Sequence, residues 1–426
     1  MATQTVTPSS TEKPAVTLPE DWAVVGLGFL IIVLALTGLQ VPSPAFGWST
    51  GADLTGKVFA AGNLTLIALQ FVFVYAVALL GALLTGKPLR AFLAGFPILY
   101  LLTLVALILA GNSRVKTLNL EAVIFSLSIG LLIGNLFRLP DWLRPALATE
   151  LFVKIGLVLL GAGVIFSDIL KAGSLGLIQA LVVVVSVWYF AYWICKKLKI
   201  DDELTMMISS AVSICGVSAA IATSGAIHGD SKKLSYVISL VLITAIPMMI
   251  AMPYVAQALG LSQEVTGAWL GGSIDTTGAV VASGTLVGET ALKISTIVKF
   301  AQNVLLGLAA FAISLYWTYT KSAPGGQTEK PTLRVIWERF PKFVIGFIAA
   351  SVLFSFFLSP AAVDSVKAGL KNVQGLWFAL AFTSIGLETR FSDLFNQDSR
   401  KPLYAFLTAQ AFNILITLVI AYSLFG

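Results

Sequence analysis

Thirteen stretches of the chain come close to the roughly 20 apolar residues that a bilayer-spanning helix needs, and this limits the fold more than any motif. They cover 22–39, 58–84, 91–109, 122–137, 151–166, 175–195, 204–227, 234–259, 265–287, 295–319, 343–358, 376–387 and 403–425. Charged residues make up only 11% of the sequence and hydrophobic ones 57%. Soluble domains carry roughly 25% charged residues, and most of their surface must face water. The chain is therefore read as an all-α, polytopic membrane protein of about 13 transmembrane segments, with a range of 11–13. The segments 122–137, 151–166, 343–358 and 376–387 are short enough to be tilted or partly re-entrant. Pro247 and Pro253 predict a kink in 234–259.

Lys and Arg in the loops set the orientation. Placing the N-terminus inside puts Lys13, Lys87, Arg90, Arg138, Arg144, Lys196, Lys197, Lys199, Lys321, Lys330, Arg334, Arg339, Lys342, Arg390, Arg400 and Lys401 inside. Lys57, Arg114, Lys116, Lys171, Lys232, Lys233, Lys293, Lys367 and Lys371 then fall outside. The expectation is a multi-pass protein of the inner membrane, with a cytoplasmic N-terminus and an external C-terminus. Residues 1–21 are rich in Thr, Ser and Pro and read as a disordered cytoplasmic tail. Residues 320–342 contain Pro324-Gly325-Gly326 and read as a cytoplasmic linker. The net charge of +6 is scattered over short loops, so it orients the chain rather than binding nucleic acid.

Enzyme chemistry finds little support. Cys195 and Cys215 lie in no metal-ligand spacing, and His228 is the one histidine. There is no HExxH, no GxSxG and no pair of Asp residues in facing spans. No metal and no cofactor is expected, apart from Na⁺ or H⁺ as a coupling ion.

Two internal matches suggest a repeat. Asp53-Leu-Thr55-Gly56-Lys-Val58-Phe-Ala60-Ala-Gly62 matches Asp275-Thr-Thr277-Gly278-Ala-Val280-Val-Ala282-Ser-Gly284. Gly161-Ala-Gly-Val-Ile-Phe166-Ser167-Asp168 matches Gly386-Leu-Glu-Thr-Arg-Phe391-Ser392-Asp393 at nearly the same offset. Each pair is separated by an odd number of crossings. This predicts two inverted-topology repeats, 22–260 (with the segments 204–227 and 234–259) and 261–426, a common ground plan of secondary transporters.

The segment 204–227 carries Ser209, Ser213, Cys215, Gly216, Ser218, Thr223 and Ser224 among apolar residues. It reads either as a discontinuous helix whose backbone groups meet an ion or as close helix packing through small residues. The segment 265–287 carries Gly271, Gly272, Ser273, Asp275, Thr276 and Thr277. This run is costly in hydrocarbon unless the backbone breaks and lines a cavity. Asp275 is a proton carrier, a sodium ligand or the N-cap of a second half-helix. Lys299, Gln302 and Asn303 share one helical face, and Lys299 either meets Asp275 or an anion, or snorkels to the interface. Lys154 has the same two readings, with snorkelling favoured. Asp168, Asp393 and His228 read as loop or capping residues. The candidate substrate site is thus Ser213, Cys215, Gly216, Ser218, Gly271, Gly272, Ser273, Thr276 and Thr277. The candidate ion-coupling set is Asp275, Lys299, Gln302 and Asn303.

Ser213-Ile-Cys215-Gly216-Val-Ser218-Ala-Ala resembles the SICGxSA motif of the YeiH-like sulfate exporter family. Gly156-Leu-Val-Leu-Leu-Gly161, Gly272-Ser273-Ile-Asp275, Val298-Lys299 and Gly386-Leu follow in the same order as in that family. The resemblance runs from about Ala122 to the C-terminus. The first three spans and the linker before 343–358 look longer than usual. It implies a carrier of the broad cation:proton antiporter and anion transporter fold group, with inverted repeats and discontinuous helices. Its implied substrate is sulfate or a related sulfur oxyanion, and a homodimer follows by analogy. The expected function is secondary active export of a small anion by alternating access, coupled to H⁺ or Na⁺. A cation:proton antiporter and a non-transporting receptor of the same fold are the alternatives. No single span is marked as the inverted counterpart of 204–227. The segment 265–287 is the candidate, although the span count gives both the same direction.

Overall fold

The computed structural model describes residues 17–39, 42–117, 122–320, 333–389 and 400–426. The chain is all-α and is a polytopic membrane protein. Among the described residues, six helices are long and apolar enough to cross a bilayer: Ala61–Leu84, Leu89–Ala110, Phe166–Lys197, Ser231–Ala258, Glu289–Thr320 and Lys401–Phe425. The elements in order are α1 (Glu20–Leu36), α2 (Gly51–Asp53), α3 (Ala61–Leu84), α4 (Leu89–Ala110), α5 (Ser113–Thr117), α6 (Ala122–Leu136), α7 (Thr149–Gly161) and α8 (Phe166–Lys197). They continue as α9 (Asp202–Ser210), α10 (Val217–Ile227), α11 (Ser231–Ala258), α12 (Gln263–Ser273), α13 (Thr277–Val287) and α14 (Glu289–Thr320). The last are α15 (Arg334–Arg339), α16 (Lys342–Val352), α17 (Pro360–Glu388) and α18 (Lys401–Phe425). The helix α11 continues through Pro247 and Pro253. Much of the sequence-expected tail, the Pro-Gly-Gly linker and the Asp393 half of the second match lie outside the described residues.

Contacts between loops sort the helix termini into two ends. At one end Glu20 meets Lys87 at 3.0 Å, and Asp21 accepts from the Lys342 backbone N–H at 2.8 Å. Thr149 donates to Glu388 there at 2.8 Å. At the far end Ser113 N–H donates to the Trp48 carbonyl at 2.9 Å, and Lys371 pairs with Glu289 at 2.6 Å. Lys154 lies toward the first end, within 3.1 Å of Glu20, 3.0 Å of Asp21 and 3.6 Å of Glu150. It is a clustered cation, where the sequence favoured a snorkelling one.

The segments 204–227 and 265–287 do not run from end to end, which corrects their reading as crossings. α9 enters the bundle and continues as a π-helical turn, Ala211–Cys215. The chain breaks at Gly216 and α10 returns beside α9. Lys233, at the start of α11, pairs with Asp201 at 2.8 Å and with Glu203 at 3.2 Å, at the start of α9. Both bases of this hairpin therefore share the first end. α12, an extended break at Ile274–Thr276 and α13 form a second hairpin. Its bases meet at the far end, where the Ala291 N–H lies 3.4 Å from Gln263 Oε1. α11 joins the two hairpins, so they enter from opposite ends. The returning helices α10 and α13 have 11 residues each. At 1.5 Å per residue this is about 16 Å, half the thickness of a bilayer core.

The two hairpins are alike in form, while the matched pair Asp53/Asp275 shares no structural feature. Asp53 lies in α2 beyond the far end of α3, where it forms a capping box with Thr50. Its salt bridge to Lys57, with N–H donors from Ser49 and Thr50, holds its carboxyl down at about 2. α3 itself is an unbroken 24-residue helix, with no feature like the break at Asp275.

Two bodies of helices pack together. α6, α7, α16 and α17 build one, with α1, α3 and α4 around them; α17 lies on α6 and α7. The hairpins with α8, α11, α14 and α18 build the other. Phe300 of α14 stacks edge-on against Phe343 and Phe347 of α16 where the two bodies touch. The turn at Gly278 faces Val153 of α7 and Ile385 of α17 across the same boundary.

Candidate functional site

The two hairpin tips meet. A Cβ built on Gly216 would lie 3.1 Å from the Asp275 Cβ and 2.6 Å from Val241 Cγ1. Gly216 holds φ 61° and ψ −111°, a conformation essentially closed to residues with a side chain. Glycine is therefore required twice at this point, for the backbone angle and for the approach of the second tip.

Each break exposes the C-terminal carbonyls of one half-helix and the first N–H groups of the next. The two kinds of end are treated differently. Lys299 of α14 donates to the Ile214 carbonyl at 2.9 Å, to the Ile274 carbonyl at 2.8 Å and to Gln302 Oε1 at 3.0 Å. Gln302 donates to the Gly272 carbonyl at 3.0 Å. From α18, Gln410 donates to the Ser273 carbonyl at 2.8 Å, while Asn413 reaches both Ser273 at 3.2 Å and Val212 at 3.1 Å. Every carbonyl named here belongs to the entering half of a hairpin, and its partner side chain is buried.

The returning halves keep their N-termini open. Ser218 is exposed and Val217 half-buried at the start of α10; Thr276 and Thr277 are half-buried at the start of α13. Thr276 is the N-cap, accepting from Ala279 N–H at 3.3 Å, so the capping role offered for Asp275 belongs to its neighbour. Thr277 Oγ1 accepts from Asn303 at 3.3 Å. Asp275 is only 2% exposed, and its Oδ2 has no hydrogen-bond partner among the described residues. Nor does any ion pair within 4 Å join it to Lys299. The ammonium is spent on neutral carbonyl and amide oxygens.

The remaining sequence candidates divide. Ser213 is buried and donates to the Ser209 carbonyl at 2.7 Å, within its own helix. Cys215 is 7% exposed beside the break. Gly271 packs closely: a Cβ there would sit 2.5 Å from the Ser295 carbonyl oxygen. Gly267, one turn earlier, faces Ala291 in the same way, so α12 lies directly on the backbone of α14. Gly272 faces Gln179 and Thr417 and is likewise closed off. Gly271→Val is expected to overpack this contact and cost about 1–3 kcal/mol, read as a lower Tm of the purified protein. An unchanged Tm would mean that α12 and α14 are not this close.

Sequence reading missed Gln179, Gln410 and Asn413. Gln179 donates to the Ala268 carbonyl at 2.7 Å and helps seat α12. A signal was present: Gln410, Asn413 and Thr417 recur at i, i+3, i+7 on one face of an apolar helix.

Residues 94–405 match the protein family described as Conserved hypothetical protein 698. A UPF0324 membrane protein of Rhodopirellula baltica is 43% identical over 350 residues, covering 80% of this chain and 64% of that protein. The chain belongs to the Conserved hypothetical protein 698, or UPF0324 membrane protein, family. Another UPF0324 membrane protein, from Nitratidesulfovibrio vulgaris, is 40% identical over 80% of this chain and 60% of its own length. The chain thus spans under two thirds of these two relatives. A third, from Nitrosomonas europaea, is 28% identical over 91% of both chains. No solved structure matches the chain. The family match spans both hairpins, α14 and the first residues of α18, so the whole crossing except Gln410 and Asn413 lies inside it. The family description fits the membrane architecture and names neither a sulfate exporter nor any substrate.

Proposed function

We propose that this UPF0324 protein is a secondary transporter that carries a small anion through the crossing of its two hairpins. The hairpins are re-entrant, one from each face of the membrane, and their breaks meet near the bilayer centre. The first end is cytoplasmic and the far end external. Lys232 and Lys233, assigned outside from the sequence, then move inside, and the positive-inside bias becomes stronger.

The observation that carries the anion reading is the asymmetry of the breaks. Their carbonyl sides are closed by Lys299, Gln302, Gln410 and Asn413, while the reachable sides offer N–H groups and the hydroxyls of Ser218, Thr276 and Thr277. Donors at a helix N-terminus bind anions. A cavity of about 370 Å³ supports the same reading. It lies between the two bodies at the external end of α13, lined by Thr285, Gly288, Lys293, Lys367 and Lys371. Glu289 pairs with Lys293 and Lys371, which leaves the vestibule a net positive lining. Lys367→Glu is expected to raise the KM for a transported anion about two- to tenfold at low ionic strength, and less in high salt, by removing electrostatic focusing. An unchanged KM would exclude the vestibule from the route.

The substrate class that fits is a small oxyanion such as sulfate or sulfite, exported by alternating access and coupled through Asp275 to H⁺ or Na⁺. The test is flux of labelled sulfate, and of sulfite, through proteoliposomes of purified protein under an imposed pH or Na⁺ gradient. Gradient-driven accumulation supports the proposal. Flux of Na⁺ or Li⁺ without any oxyanion would replace it with a cation:proton antiporter. That rival draws on the unpartnered oxygens of Ser273, Asp275 and Gln410.

A further inference from the structure

Lys299 is 1% exposed, and its ammonium donates three hydrogen bonds, which is its full capacity. Two of the acceptors, Ile214 and Ile274, end the entering half-helices of different hairpins. A helix C-terminus carries roughly half a negative charge, so two of them converging present about one unit. One ammonium balances that unit. Unwound carbonyls and half-helix C-termini in the middle of a carrier are also where coupling cations are held. Here the same carbonyls have a covalently tethered cation at 2.8 Å and 2.9 Å.

We infer that Lys299 stands in place of a bound monovalent metal ion, so that the carbonyl ends of the crossing need neither Na⁺ nor K⁺ to be held together. The side chain reaches the crossing from α14, which packs along α12 through Gly267 and Gly271 and is thereby held at a fixed distance from the second hairpin. Gln302 adds a neutral oxygen as third acceptor, completing a small oxygen cage of the kind a bare cation would need. The charge of Lys299 is thus met at contact distance by helix ends, while Asp275 attracts it from beyond salt-bridge range.

This rests on the crossing being a transport site but not on the identity of the anion. A protein that moved no sulfur oxyanion would still give the results below, so the two ideas fail separately. The measurement is thermal unfolding of the purified full-length protein in NaCl, KCl, LiCl and choline chloride at equal ionic strength. Tm of Asp275→Asn, which removes the coupling carboxylate and keeps the cage, is expected to be the same in all four. Lys299→Ala is expected to melt several degrees lower in choline chloride and to recover, saturably, with Na⁺, K⁺ or ethylammonium. Lys299→Gln, which keeps a polar group in the cage, should show the same rescue from a higher starting point and serves where the alanine variant does not accumulate. Saturable stabilisation of Asp275→Asn by Na⁺ over choline would overturn the inference. So would Lys299 variants that fold and respond to no small cation.

Discussion

Asp275→Asn is expected to leave the protein as stable as the wild type, or more so, while removing the response of flux to the driving-ion gradient. The carboxylate is buried against Gly216, has one unpartnered oxygen and forms no salt bridge within 4 Å among the described residues, with Lys299 acting on it only from a greater distance. A charge in that position costs folding free energy, and its neutral isostere does not. Natural proteins retain such groups where function needs them. The predicted pattern is therefore a Tm unchanged or raised together with gradient-driven flux down about tenfold or more, the scale set by losing one charged interaction of 1.5–3 kcal/mol. A variant that keeps gradient-dependent flux removes Asp275 from coupling. A variant that loses stability and flux together makes Asp275 a structural group instead.

Gly216→Ala is expected to be strongly damaging. The backbone angles alone cost about 1–3 kcal/mol for a residue with a Cβ. The methyl group would also press on Val241 and Asp275 at the meeting point of the hairpins. Gly369→Ala in α17 is the matched control. Nothing lies within 4 Å of its Cβ position. There the substitution should be neutral or stabilising, by up to about 1 kcal/mol, from helix propensity alone. The two variants should move Tm in opposite directions, and equal effects would show that Gly216 does not form the break. Flux in Gly216→Ala should fall further than stability explains, because the added methyl fills the space between the tips.

Gly216, Asp275 and Lys299 were legible in the sequence because each is expensive in an apolar segment unless the structure uses it. Hairpin and span were not distinguishable there. A returning helix pair of about two dozen apolar residues has the same length and composition as one crossing helix. What separates them is the pairing of Lys233 with Asp201 and Glu203, a contact between the two bases that hydropathy does not register. The same ambiguity hid the likeness in form between 204–227 and 265–287. Counting both hairpins as crossings gave them one direction, whereas α11 alone between them makes them opposite. The Asp53 match misled for another reason. Asp53 is the third helical residue of a box capped by Thr50, whereas Asp275 precedes the N-cap Thr276, so the shared letters carry no shared structural role. The capping amides Gln410 and Asn413 lie far along the chain, and only the packing of α18 on α12 brings them to the site.

Alternating access follows if the hairpin body moves against the other. The contacts between them at this boundary are largely apolar, with Gly278 on Val153 and Ile385, and Phe300 on Phe343 and Phe347. Such surfaces can slide, and the ion pair between the bodies at the external end, Lys371 with Glu289, is exposed and costs little to break. The caps on the carbonyl ends come from α14 and α18, inside the moving body, so the crossing would travel intact.

Membrane-sided labelling of cysteines tests the hairpin architecture most directly. In a background without Cys195 and Cys215, single cysteines at Lys199 and Lys232 flank the first hairpin, and cysteines at Leu261 and Gly288 flank the second. An impermeant maleimide should modify the first pair from the cytoplasmic face only and the second pair from the external face only. Labelling of Lys199→Cys and Lys232→Cys from opposite faces would make the segment between them a crossing helix, and the site built on two opposed hairpins would not exist.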